Sequence, residues 1–138
     1  MAKTDGALPT VDEVHTVHKL ICEKYELPNG AFEANIDTKI QRVIDDAGDV
    51  NGDDEYDIAA RFLTRFLTRA PYNAGNMATG WLQTTIYLSR VGAAIEPDVL
   101  KMAPYVVESA PRYHPEEIAE WLRTGDINTD PFEEVNAA

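Results

Sequence analysis

The sequence predicts an all-α domain, a compact bundle of about six helices around a buried central helix. Three observations predict it. Apolar residues recur three and four positions apart along most of the chain. Proline, glycine and asparagine break those stretches at intervals of roughly one helix. No stretch shows the alternation of a half-buried strand. The 138 residues make one ordinary domain, and a 44% hydrophobic composition supplies one core.

The organisation follows in chain order. Residues 1–9 read as a flexible lead, 10–124 as the helical domain and 125–138 as a mobile acidic tail. Thr10 and Glu13 have capping-box spacing, and Val14, Val17, Ile21 and Tyr25 continue a first helix to the turn Leu27-Pro28-Asn29-Gly30. A second helix covers Asn35 to Ala47 on the stripe Ile36, Ile40, Val43 and Ile44, ended by Gly48 and Asn51-Gly52. A third starts in Asp53-Asp54-Glu55, where acids suit the positive helix end, and Pro71 stops it. A fourth runs from Asn76 to Val91. Trp81, Leu82, Ile86, Tyr87 and Leu88 spread around it, which predicts the buried central helix. A fifth spans Asp98 to Ser109, with Pro104 shortening or kinking it. The last opens at His114-Pro115-Glu116-Glu117 and buries Ile118, Trp121 and Leu122.

Charge and composition narrow the function classes. With 24 acidic against 12 basic residues the net charge is −12, which disfavours a nucleic-acid partner. Only five of the basic residues are lysine, a composition similar to that of proteins adapted to high salt. No apolar run reaches the ~18 residues of a membrane span. The polar start and the single Cys22 point to the cytoplasm, with no membrane partner.

Several side chains are candidates for chemistry. His15, His18 and Cys22 share a face of the first helix, as zinc ligands can, but a closed site needs a fourth ligand. Core or surface histidines are the simpler reading, and no metal site is expected. Arg61, Arg65 and Arg69 form a stripe on the third helix. It suits a phosphate or an acidic partner, yet local pairing, Arg61 with Asp57 for example, explains it more simply. Phe132 and Val135 stand among acids as a short docking motif stands, although a solubilising tail is the plainer reading.

The most informative stretch is Ala70-Pro71-Tyr72-Asn73-Ala74-Gly75-Asn76-Met77-Ala78-Thr79-Gly80-Trp81. It is a proline-started loop feeding a helix N-terminus, whose free N–H groups and dipole attract anions. Gly75, Asn76, Thr79 and Asn73 are the candidate anion or nucleotide contacts. A plain connection capped by asparagine explains the same residues.

This stretch resembles the Fic/Doc (death-on-curing) motif HPFx(D/E)GN(K/R)R, followed in many members by T-G-W. Pro71, Tyr72, Gly75, Asn76, Thr79, Gly80 and Trp81 stand at matching positions. Asp54-Glu55-Tyr56 is similar to the segment before the motif, and the run from Ile86 to Gly92 to the family's continuation. The opening helix and the turn after it resemble the short Doc branch, so the likeness covers roughly residues 8 to 124.

In that family the motif histidine is the general base, the acidic residue holds magnesium and the cations neutralise the transferring phosphate. Here those positions are Ala70, Ala74, Met77 and Ala78. Loss of a base costs roughly 10²–10⁴-fold, and the electrostatic terms are lost as well. The resemblance therefore implies a non-catalytic protein of toxin–antitoxin ancestry that binds a protein partner, antitoxin-like or a second copy, or a nucleotide or other anion. Nucleotide and magnesium enter only so far as the altered loop still holds them; otherwise no cofactor is expected. Two alternatives stand beside it. One is an active nucleotidyl- or phosphotransferase that recruits His114 or Arg69 in place of the missing groups. The other is a structural helical domain without a ligand. Arg69, one residue before the loop, is the candidate accessory charge.

Overall fold

The computed structural model describes residues 7–28, 35–48 and 54–128. It is a bundle of six helices with no strand among the described residues. These are α1 (Val11–Tyr25), α2 (Ile36–Gly48), α3 (Glu55–Arg69), α4 (Asn76–Arg90), α5 (Pro97–Ser109) and α6 (Pro115–Thr124). A 3-10 turn, Ala110–Arg112, joins the last two. Residues 1–6, residues 129–138 of the tail with Phe132 and Val135, and the glycines Gly30 and Gly52 lie outside the described residues.

The ends follow local chemistry. Thr10 caps α1, its hydroxyl accepting from Glu13 N–H at 3.1 Å. The reciprocal half of that box is not made, because the Glu13 carboxylate reaches across to Arg90 at the end of α4. Asp54 and Asp57 form a full capping box at α3, with bonds of 2.9 and 3.2 Å. α5 begins at Pro97, the position where a missing N–H is free of cost, and runs through Pro104 to Ser109. Pro104 does not shorten it. Both Pro104 and Leu100, whose carbonyl loses its partner, lie on the exposed face, where water serves.

The centre of the bundle is α3, which corrects the expectation for α4. α3 packs on α2, α4, α6 and the 3-10 turn. It buries seven residues, among them Ile58, Phe62, Leu63 and Phe66. α4 buries a largely polar face instead: Thr79, Gly80, Gln83, Thr84 and Tyr87, with Leu88. Its apolar residues turn the other way. Met77 is 52% exposed and Leu82 41% exposed, while Trp81 is half-buried beside Trp121 at 5.7 Å. Small residues let α4 lie close to α3. A Cβ on Gly80 would stand 3.1 Å from Phe66 and 3.4 Å from Leu67.

Candidate functional site

The loop between α3 and α4 is shaped by three devices. α3 ends at Ala70 in the left-handed region, with φ 44° and its N–H bonded to the Phe66 carbonyl. Gly75 precedes α4 with φ 82°, a conformation that glycine adopts without strain. Between them Asn76 folds back on the loop. Its Oδ1 accepts from Tyr72 N–H at 3.0 Å and its Nδ2 donates to the Tyr72 carbonyl at 2.8 Å. Asn76 is thus a loop staple, and no side chain caps α4.

Two histidines of α1 hold this loop from behind. His18, fully buried, stacks on Tyr72 with ring centroids 3.5 Å apart and planes 6° apart. Its Nε2 donates to the Ala74 carbonyl at 2.8 Å, and Cys22 Sγ lies 3.3 Å from the same nitrogen. His15 takes the Tyr72 hydroxyl on Nδ1 at 2.7 Å and meets Asp37 through Nε2 at 2.6 Å. Burial, then the Asp37 and Cys22 charges, push the Tyr72 phenol well above its ordinary range. Tyr72 therefore stays protonated, and its hydroxyl and the Asp37 carboxylate bracket the two nitrogens of the His15 ring. The sequence paired His15, His18 and Cys22 as candidate ligands. The structure keeps His18 and Cys22 in contact but turns His15 to Tyr72 and Asp37, and no metal-holding group of three or more gathers among the described residues. Helix spacing flags the two histidines, but Tyr72 and Asp37 are too far away in sequence for spacing to find them.

In front of the loop is an open cavity of about 690 Å³. Ala70, Gly75, Asn76, Met77 and Ala78 form one wall. Tyr25 and Leu27, Leu67, and Val107, Glu108 and Pro111 form the others. A shallower apolar groove of about 330 Å³ continues from it between α4 and α5, past Trp81, Leu100 and Pro104. Of the four candidate contacts, Gly75 and Asn76 line the cavity. Thr79 is fully buried behind it, its hydroxyl without a partner among the described residues, and Asn73 faces solvent elsewhere. Neither Arg69 nor His114 lines the cavity. Arg69 faces a second groove with Arg65.

No family model, curated protein or solved structure matches this chain.

The fit to a magnesium-bound nucleotide is poor. Among the described residues no lysine, arginine or histidine lines the cavity, and the one carboxylate there is Glu108. An isolated carboxylate repels phosphate, and nothing else on the walls neutralises it. The walls are otherwise apolar apart from Asn76, the backbone and the Tyr25 hydroxyl. Such a cavity can bury apolar groups; its described side chains offer no acid–base pair and no cation for a phosphoryl group.

The arginine stripe also differs from expectation. Arg61 does not pair with Asp57. It donates to the Asp46 and Ala47 carbonyls at the end of α2, at 2.6–3.2 Å. That geometry meets the unpaired carbonyls and negative dipole of a helix C-terminus. Asp57 is committed to Asp54 and lies 3.6 Å from Arg123. Among the described residues no helix is long and apolar enough to cross a membrane.

Proposed function

We propose that this chain is a Fic/Doc-like protein without the family's transfer reaction, acting by binding a protein partner in the cavity at Ala70. One observation carries the reading: where the motif histidine would stand, the wall is Ala70, and the described side chains around it are mostly apolar and include no cation. The outward apolar face of α4 supports it, because Met77 and Ala78 extend the cavity into the groove beside Trp81. The partner segment carries an apolar ridge flanked by basic residues, complementary to Glu108 and to a chain of net charge −12. The toxin–antitoxin ancestry rests on the sequence resemblance. The positive φ at residue 70 agrees with it, since histidine is enriched over most residues at such angles.

Two measurements test the reading. The native chain, incubated with labelled ATP, GTP or UTP and magnesium, transfers no label; transfer would overturn the non-catalytic assignment. The variant Ala70→His/Ala74→Asp/Met77→Lys/Ala78→Arg gains nucleotide binding. A folded quadruple variant that binds none would sink the family reading. For the apolar cavity, the neutral dye Nile red binds the native chain, and Met77→Asp weakens it by roughly 10-fold or more. Equal dye binding by the two proteins would remove the cavity from the proposal.

A further inference from the structure

The second groove lies between α3 and the 3-10 turn, with a volume of about 420 Å³. Arg65, Thr68 and Arg69 line one side, and Pro111, Tyr113 and Pro115 the other. Pro111 is the one lining residue it shares with the cavity at Ala70. Among the described residues no aspartate or glutamate lines it. Elsewhere Arg61 is held by the α2 carbonyls, Arg90 by Glu13 and Arg123 by Asp54. Arg65 and Arg69 form no ion pair or hydrogen bond among the described residues.

That arrangement runs against the electrostatics of the chain. Two cations at i and i+4 repel each other and destabilise the helix they share. With acids in twofold excess, pairing each with a carboxylate would be easy. Instead both guanidiniums face one groove, and the hydroxyls beside them are committed. Thr68 donates to the Thr64 carbonyl at 2.7 Å, and Tyr113 to the Asn128 carbonyl at 2.5 Å. The donors left for a ligand are therefore the two guanidiniums, whose planar forks match a phosphate. The volume falls within the range of pockets that enclose small organic molecules, and the proline walls suit an apolar or sugar body attached to the charged group.

We propose that this groove binds a small organic phosphate monoester, its phosphate held between Arg65 and Arg69. The assignment is independent of the reading of the cavity at Ala70. The test is calorimetric titration of the full chain, in about 0.1 M salt, where screening confines the effect to nearby charges. The probes are phenyl phosphate, inorganic phosphate and phenol. Phenyl phosphate binds saturably and more tightly than inorganic phosphate, and phenol does not bind. Arg65→Gln and Arg69→Gln each weaken phenyl phosphate at least ~10-fold. Arg42→Gln, on the exposed face of α2, leaves binding unchanged. Both groove arginines are exposed, and thermal melts verify that their variants fold. Absence of saturable phosphate binding, or binding that survives the double Arg65→Gln/Arg69→Gln change, overturns the site. Inorganic phosphate binding as tightly as phenyl phosphate overturns the organic ligand. Phenol binding alone overturns the role of the charges.

Discussion

At residue 70 the backbone adopts φ 44° and ψ 64°, a left-handed conformation that costs an L-residue ~1–2 kcal/mol. The strain is local, since the Ala70 side chain is exposed on the cavity wall. Glycine removes it but adds ~0.5–1 kcal/mol of chain entropy to be lost on folding. Ala70→Gly is thus expected to stabilise the fold by about 0.5 kcal/mol net, or to raise the melting temperature by ~2 °C. Ala70→Val, with its branched Cβ, lowers it. Paired thermal melts of the two variants check both signs. A lower melting temperature for the glycine variant would mean that the loop tolerates residue 70 without strain.

Among the elements, α3 and α4 show what could and could not be read in advance. Helix count, order and most boundaries were legible, because caps and breakers act locally: Thr10, Asp54, Pro71 and Pro115 each sit at a helix end. The central helix was not. α4 is rich in apolar residues, but its inward face is chosen by close approach. Gly80 and Thr84 admit α3, while the bulk of Met77 and Leu82 turns outward. Periodicity measures apolar content, not which side meets a neighbour. Of the site, the loop's place between α3 and α4 was legible and its clamp was not, since His15, Asp37 and Tyr72 meet only through the packing of α1 and α2 behind the loop.

The capping box of α3 ties that helix to α6. Burial would raise the Asp54 carboxyl, but the Asp57 N–H and the Arg123 guanidinium at 2.8 Å outweigh it and hold it below its ordinary value. A depressed carboxylate stabilises the fold above its unfolded pKa, and that contribution is lost as pH falls through the folded value. Asp57 has the opposite sign. Its burial and the Asp54 charge raise it, so protonation of the pair begins there. Asp54→Ala is expected to destabilise by about 1 kcal/mol at neutral pH. The loss shrinks as pH drops below the usual aspartate range of about 4. Urea denaturation of native and variant chains at neutral and acid pH measures it. A penalty equal at both would show that neither charged partner contributes.

The whole molecule carries 24 acidic and 12 basic residues, so its folded form is under long-range self-repulsion. Among the described residues the cross-helix ion pairs of Arg90 with Glu13, and of Arg123 with Asp54 and Asp57, are partly exposed and contribute modestly. Screening is therefore expected to relieve more repulsion than attraction. Raising salt from about 0.01 M to about 1 M shortens the Debye length from ~30 to ~3 Å and is expected to raise the melting temperature. Potassium chloride, which acts mainly by screening, is the salt for the experiment. A melting temperature that falls with salt would mean that the ion pairs outweigh the net charge.

The stacking of His18 on Tyr72 and its bond to the Ala74 carbonyl have an evolutionary consequence. The shape of the loop is enforced by residues behind it, and by Asn76 within it, not by side chains on its outer surface. Three residues of this stretch, Ala70, Met77 and Ala78, are exposed on that surface. They can be exchanged without disturbing the core. Substitution can rewrite the chemistry of this face while the architecture stands still, and a designer can work there on the same terms.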